Sequence, residues 1–175
     1  MRNPNLKPAT GKLGIMVVGL GAVSTTFITG VLMTRKGLAK PVGSMTQYDK
    51  IRVGRGAEKK YLPYNEIVSM PSLNDIVFAA WDVYPVNAYE SAINAEVLKE
   101  KDIEPVKDEL LAIKPMKAAF DKNYAKRLDG DNVKQCTNRW DMAEQIREDI
   151  RNFKKESGAD RIVVLWAAST EIYVA

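Results

Sequence analysis

The stretch from residue 13 to residue 37 constrains the fold of this chain more than any other part of it. An apolar run, Leu13 to Val18, is followed by the turn Gly19-Leu20-Gly21 and then by apolar residues at helical spacing up to Gly37. Short apolar runs of this kind are typical of strands that are buried on both faces of a parallel sheet. The segment therefore predicts a buried strand, a tight glycine turn and a helix, which together form the repeating unit of an α/β protein.

Later segments repeat this alternation. Buried strands are predicted at Asp75 to Asp82 and at Arg161 to Trp166. Helices are predicted from Asn87 to about Lys101, from Pro105 to Ile113 and from Thr137 to Ser157. The last helix carries an apolar stripe from Trp140 to Phe153, which predicts a side that faces the core. The alternation predicts a Rossmann-like α/β fold, with a mostly parallel sheet, helices on both faces and right-handed crossovers.

Two segments fall outside the alternation. Residues 1 to 12 contain two prolines and few apolar residues, and they are interpreted as a leader. Residues 38 to 74 are divided by glycines and prolines, and they are interpreted as an irregular insertion in which short strands such as Lys50 to Val53 can form. The remainder, residues 13 to 175, is then a single domain.

The composition narrows the classes of function. Apolar residues make up 46% and charged residues 27% of the chain, as in a globular domain. The net charge of +4 is spread along the chain and not concentrated in a block, so no nucleic-acid partner is expected. Residues 13 to 34 carry no charge, but their glycines and hydroxyl side chains argue against a membrane span, and no cleavage pattern of a signal peptide follows.

The chain has one cysteine and no histidine. Cys136 cannot form an internal disulfide, is interpreted as an inert thiol, and suits a reducing compartment, so we expect the protein in the cytoplasm. Because the commonest metal ligand and the commonest general base are missing, no metal site is predicted. Carboxylates, lysines and tyrosines remain for any chemistry.

The glycine turn can be interpreted in two ways. Gly19-Leu20-Gly21 fits an ordinary tight turn, because the third glycine of a GxGxxG fingerprint is replaced by Ser24. It equally fits a phosphate-binding loop, because it follows a strand and opens a helix whose first N–H groups are free to bind an anion.

Two other predicted strand ends bear on this choice. Asp82 ends the second strand, where dinucleotide-binding folds place an acid for the ribose, provided that residues 38 to 74 are an insertion. The alternative role of Asp82 is that of a turn former or helix cap. The small residues Ala167, Ala168, Ser169 and Thr170 follow the third strand and leave room for a flat cofactor, although small residues also commonly end strands.

Three segments carry a resemblance to a known family: KLGIMVVGLGAVSTTFITGV, NDIVFAAWDVYPVNAYESA and RIVVLWAASTE. They resemble the amino-terminal Rossmann part of the inositol-3-phosphate synthase (myo-inositol-1-phosphate synthase) family, from about Lys12 to Glu171. The most specific pieces are Trp81-Asp82 and the motif at 165 to 171. The resemblance implies bound NAD and the conversion of glucose 6-phosphate to an inositol phosphate by oxidation, enolisation, aldol cyclisation and reduction, in inositol and phospholipid biosynthesis.

The resemblance also assigns residues by position. Those matching the pyrophosphate loop are Gly19, Gly21, Ala22, Val23 and Ser24. Asp82 matches the family's ribose-binding acid, and Ala167, Ala168, Ser169 and Thr170 match a strip that lines the cofactor. Two departures stand out: many members have GxGGNNG where this chain has GLGAVS, and a serine near the position of Lys117.

Members of the family are more than twice as long as this chain and are homotetramers. The resemblance places their catalytic lysines and tetramerisation sheet beyond Ala175, so we expect an amino-terminal fragment that is apparently truncated at the carboxyl end. Such a fragment has no catalytic residue of its own and is expected to be inactive alone. Two alternatives remain open: the nucleotide-binding domain of another NAD(P)-dependent dehydrogenase, and a non-catalytic α/β module that binds a partner.

Overall fold

The computed structural model of this protein describes residues 10–168. Within this range the strands are β1 (Lys12–Val18), β2 (Lys50–Val53), β3 (Lys60–Pro63), β4 (Ile76–Asp82), β5 (Met116–Lys117) and β6 (Ala159–Trp166). The α-helices are α1 (Ala22–Arg35), α2 (Met45–Tyr48), α3 (Tyr64–Ile67), α4 (Ala88–Asn94), α5 (Glu100–Ile103), α6 (Lys107–Ala112) and α7 (Arg139–Ser157). Short 3₁₀ turns lie at Gly56–Glu58, Leu73–Asp75 and Glu104–Val106.

The main sheet has four parallel strands in the order β5-β4-β1-β6. The chain moves outward from β1 to β4 and β5, and then returns to place β6 on the other side of β1. With right-handed crossovers, this reversal puts α7 on the face opposite to α1, α4 and α6. The predicted Rossmann-like fold is therefore confirmed, and the reversal creates a crevice at the carboxyl ends of β1 and β6.

The core lies between the sheet and the helices that precede β5. Val17 of β1, Ile28 of α1 and Leu110 of α6 are buried there, each 1% exposed or less. The end of α1 is tied to the start of β4 by Arg35, whose guanidinium donates to the carbonyl oxygens of Leu73 (2.6 Å) and Ile76. These contacts hold the strand–turn–helix unit rigidly against its neighbour in the sheet.

Residues 38 to 74 lie outside the main sheet. Their strands β2 and β3 form an antiparallel pair, flanked by the short helices α2 and α3. The strand predicted at Lys50 to Val53 is confirmed. β4 pairs directly with β1, and no strand of this segment lies between them. The description of residues 38 to 74 as an insertion into the domain remains our proposal.

Three details of the predicted elements are wrong. The helix after Asn87 ends at Asn94 and not at Lys101, because Glu96 adopts a positive φ of 54° that breaks the helix. The helix predicted from Thr137 begins at Arg139, with Asn138 as its N-cap, whose side chain accepts from the N–H of Asp141. The polar segment after Pro115 contains β5, which the sequence pattern did not indicate.

The burial of the last two elements also differs from the prediction. β6 is a strand, but four of its apolar residues, Val163 to Trp166, are exposed, Trp166 by 67%. Within residues 10–168 it is an edge strand of the sheet. No residue of α7 is fully buried, and Trp140 at the start of its apolar stripe is 71% exposed. Among the helices described, none is long and apolar enough to cross a membrane.

The thiol of Cys136 lies just before α7, partly buried. Burial raises the pKa of this thiol and the nearby Asp141 carboxylate raises it further, while Lys134 lowers it. Because only the thiolate reacts, the raised pKa leaves a smaller reactive fraction at pH 7. We expect iodoacetamide to alkylate Cys136 at pH 7 about threefold or more slowly than a free cysteine, with the rate rising only at higher pH. Mass spectrometry of the reaction from pH 6 to 10 measures this, and alkylation as fast as that of free cysteine would contradict it.

Candidate functional site

Three strands end together at Gly19. Its N–H donates to the carbonyl of Trp81 on β4 (2.8 Å), and the N–H of Ala167, just after β6, donates to the carbonyl of Val18 (2.9 Å). The backbone of Gly19 has a φ of +91°, and a Cβ placed on it would lie 2.9 Å from the Cα of Ala168. Gly19 is therefore required by the packing of the protein's own backbone.

Gly21 is a glycine for a different reason. It is the N-cap of α1 with an extended backbone (φ −87°, ψ −157°), and a Cβ placed on it would meet no atom within 4 Å. Neither backbone strain nor crowding among the described residues explains a glycine there. The space beside Gly21 is open, as expected where a ligand approaches the backbone closely.

The first turn of α1 presents free backbone donors to this space. The first helical hydrogen bond runs from the N–H of Thr25 to the carbonyl of Gly21 (3.0 Å). Within residues 10–168, the N–H groups of Ala22, Val23 and Ser24 have no backbone or side-chain acceptor, and the turn carries no acidic side chain. Such a helix N-terminus attracts an anion through its N–H groups and its partial positive charge.

The hydroxyl groups of the turn point inward. Ser24 is 2% exposed and its hydroxyl donates to the carbonyl of Gly19 (2.5 Å). Thr25 is 1% exposed and its hydroxyl donates to the carbonyl of Gly21 (3.0 Å). These side chains close the turn, so Ser24 can offer a ligand its backbone N–H and not its hydroxyl.

Asp82 lies at the carboxyl end of β4, beside the turn. One carboxylate oxygen accepts from the N–H of Leu20 (2.6 Å), and the other accepts from the N–H of Tyr84 (3.0 Å). The second contact is the turn-forming role considered from the sequence, and the first fixes the glycine turn. A carboxylate has about four acceptor positions, so Asp82 keeps roughly two for the hydroxyls of a ribose.

Asn132 supports Asp82 and was missed by the sequence analysis. It is buried, and its side-chain amide donates to the carbonyl of Asp82 (2.9 Å) and to that of Met116 (3.1 Å). It thereby joins the ends of β4 and β5. An asparagine after Gly130-Asp131 is typical of an ordinary turn, so no local signal distinguished it.

A second support lies on the opposite face of the sheet. The indole N–H of Trp81 donates to the carboxylate of Asp149 on α7 (2.7 Å), which also pairs with the ammonium of Lys134 (2.9 Å). The side chains of Lys134 and Asp149 are only 12% and 17% exposed. This network fixes the residue that precedes Asp82.

The structure thus gathers most of the predicted site residues at one edge of the sheet. Gly19, Ala167 and Ala168 meet through their backbones, with the free N–H groups of α1 and the carboxylate of Asp82 alongside. Ser169 and Thr170 lie outside the described residues. Free donors at a helix N-terminus, an open approach at Gly21 and a carboxylate at the end of the neighbouring strand fit the pyrophosphate and ribose of a dinucleotide.

Comparison with known proteins gives a consistent result. Residues 13–175 match a family model for NAD binding described as myo-inositol-1-phosphate synthase. The chain is 58% identical over 170 residues to inositol-3-phosphate synthase 1 of Bacteroides thetaiotaomicron, covering 97% of this chain and 39% of that relative. It is 32% identical over 187 residues to inositol-3-phosphate synthase of Saccharomyces cerevisiae, covering 93% of this chain and 35% of the yeast protein.

A solved structure agrees with these relatives. The chain superposes on the crystal structure of inositol-3-phosphate synthase from Caenorhabditis elegans with a TM-score of 0.81 at 27% identity, covering 94% of this chain and 35% of that one. The chain therefore spans less than two fifths of the length of these proteins. Because the family model matches almost the whole chain, the chain belongs to the myo-inositol-1-phosphate synthase family, and the part it matches is the family's NAD-binding domain.

Proposed function

We propose that this chain supplies the NAD-binding part of an inositol-3-phosphate synthase, with the cofactor at the carboxyl edge of the sheet. The observation that carries this proposal is the open space beside Gly21, a glycine that neither backbone strain nor contacts within residues 10–168 require. A site of close backbone approach at a helix N-terminus is the usual position of a pyrophosphate.

Each group at this edge has a proposed role toward NAD. The N–H groups of Ala22, Val23 and Ser24 would bind the pyrophosphate, since they are free donors at the N-terminus of α1. Asp82 would accept hydrogen bonds from the adenosine ribose with its remaining lone pairs. Ala167 and Ala168, the small residues after β6, would line the cofactor, and by resemblance Ser169 and Thr170 extend this strip.

The reaction proposed for the whole protein is the conversion of glucose 6-phosphate to 1D-myo-inositol 3-phosphate. NAD supplies the chemistry of hydride removal and return in the first and last steps. This chain's own contribution is to hold the dinucleotide by its phosphates and ribose. The lysines of the chemical site, the homotetramer and a cytoplasmic location belong to the same proposal and rest on the family resemblance.

Replacing Gly21 by alanine tests the site directly. The added methyl group meets no protein atom, so we expect an unchanged free energy of unfolding but at least tenfold weaker NAD binding, because the methyl occupies the space proposed for the phosphates. Calorimetric titration with NAD⁺ and urea unfolding measure the two quantities.

Gly30 is a matched control for this experiment, because it lies in the middle of α1 and its added Cβ would also meet nothing within 4 Å. Gly30→Ala should leave NAD⁺ binding unchanged and raise the stability by about 0.5–1 kcal/mol, the usual gain for alanine within a helix. Wild-type affinity in Gly21→Ala would show that the phosphates do not bind at this turn.

A further inference from the structure

Lys117 lies directly beside Asp82 in the sheet. The two residues end β5 and β4, and they are paired in parallel register. Neighbouring parallel strands are about 4.8 Å apart, and residues in register project to the same face. The side chains of Asp82 and Lys117 therefore leave the sheet side by side at its carboxyl edge.

The opposite face confirms which way these side chains point. Trp81 donates to Asp149 on the α7 side of the sheet, and Met116, its register partner, lines the same groove as Asp149. Because side chains alternate along a strand, the next residues, Asp82 and Lys117, project to the other face. That face is the one where Asp82 contacts Leu20 of the glycine turn.

The ammonium of Lys117 is uncommitted within the part of the chain that is described. Lys117 is exposed, and no carboxylate of residues 10–168 lies within ion-pair distance of its ammonium. The nearest carboxylate in the sheet, Asp82, is held by the N–H groups of Leu20 and Tyr84. Lys134, whose N–H donates to the carbonyl of Ala118 just after β5, is by contrast paired with Asp149.

A carboxylate and an ammonium at this place have opposite effects on the binding of a phosphate at the 2′ position of the adenosine ribose. The acid that ends this strand accepts from the 2′-hydroxyl of the adenosine ribose, and a cation nearby accommodates a 2′-phosphate. Asp82 therefore favours NAD and repels the phosphate of NADP, whereas Lys117 attracts that phosphate.

We propose that Asp82 and Lys117 together set the choice between NAD and NADP. The inference rests on the proposed NAD site. Asp82 disfavours the 2′-phosphorylated coenzyme, and Lys117 is the cation that binds the phosphate fully once the negative charge of Asp82 is removed. In the wild-type protein Lys117 partly offsets the repulsion, so NADP⁺ binds weakly but measurably.

The experiment titrates NAD⁺ and NADP⁺ into the 175-residue chain by calorimetry at low salt. Asp82→Asn keeps an oxygen that can accept from Leu20, and it should bind NADP⁺ at least tenfold more tightly than wild type. Adding Lys117→Gln should remove this gain. Lys117→Gln alone should weaken NADP⁺ binding at least threefold and leave NAD⁺ binding within about twofold. Raising the salt concentration should reduce the gain in NADP⁺ affinity of Asp82→Asn.

Lys114→Gln is the matched control, since it removes the same charge three residues earlier and should change neither affinity. If wild type binds NAD⁺ but Asp82→Asn gains no NADP⁺ affinity, or gains it equally without Lys117, the proposed role of Asp82 and Lys117 in coenzyme choice is wrong and the proposed NAD site stands. If wild type binds neither coenzyme, the proposed NAD site is wrong, and the proposed role of Asp82 and Lys117 in coenzyme choice is wrong with it. Should Asp82→Asn not fold, Lys117→Gln alone decides: an unchanged NADP⁺ affinity overturns the inference.

Discussion

Gly19→Ala is expected to lower the free energy of unfolding by about 3 kcal/mol and to weaken NAD binding at least tenfold. The backbone of Gly19 has a φ of +91°, which costs about 1–3 kcal/mol for any other L residue. The added Cβ would also lie 2.9 Å from the Cα and 3.0 Å from the nitrogen of Ala168, and backbone atoms cannot move aside as a flexible side chain can. The ends of β1 and β6 must separate, and the glycine turn moves with them.

Gly37 provides the control that separates strain from crowding. It also has a positive φ, +69°, but a Cβ placed on it would meet nothing within 4 Å. Gly37→Ala should therefore cost only the conformational part, about 1 kcal/mol, and leave NAD⁺ binding unchanged. Urea unfolding and calorimetry of both variants measure the difference, and equal losses of stability would show that contact with Ala168 is unimportant.

Asp149→Ala is expected to destabilise the protein by about 3–5 kcal/mol, the usual cost of removing one partner from a buried ion pair. The substitution leaves the ammonium of Lys134 (12% exposed) and the indole N–H of Trp81 without their acceptor. For a chain of this size, such a loss corresponds to a fall in melting temperature of roughly 10 °C. Thermal unfolding followed by circular dichroism measures it.

Two further variants test the cause of this loss. Glu144 lies on the same helix, α7, and its carboxylate pairs with the exposed Arg147, so Glu144→Ala should change the stability by less than about 0.5 kcal/mol. The double variant Lys134→Met with Asp149→Leu removes both charges and should be more stable than Asp149→Ala, because no buried charge is left unpaired. A double variant as unstable as Asp149→Ala would rule out the unpaired ammonium as the cause.

The elements predicted from the sequence were those with strong local patterns. The apolar run of β1, the helical spacing of α1 and the apolar run of β4 depend on residues that are near one another in the chain, so their patterns survive folding. β5 was missed because Met116–Lys117 is only two residues long and lies in a polar segment. It forms because β4 and the amide of Asn132 offer it partners from elsewhere in the chain.

Burial was predicted less well than secondary structure. The apolar run of β6 is typical of a central strand, yet β6 is an edge strand within residues 10–168 and its side chains from Val163 to Trp166 are exposed. The apolar composition of a strand indicates that the strand is suited to burial. Which neighbours it has depends on the order of strands, which is not a local property.

The sequence by itself determined the strand–turn–helix unit, the family resemblance and the acid at the end of β4, because these depend on short runs of residues and their spacing. Only the tertiary structure decided that β4 pairs with β1 across residues 38 to 74, and so brought Asp82 to the N–H of Leu20. The tertiary structure also showed that the two glycines of the turn have different roles. Gly19 is required by the close backbone of Ala168, whereas Gly21 faces open space. Long-range strand pairing sets these distances, and no local pattern encodes them.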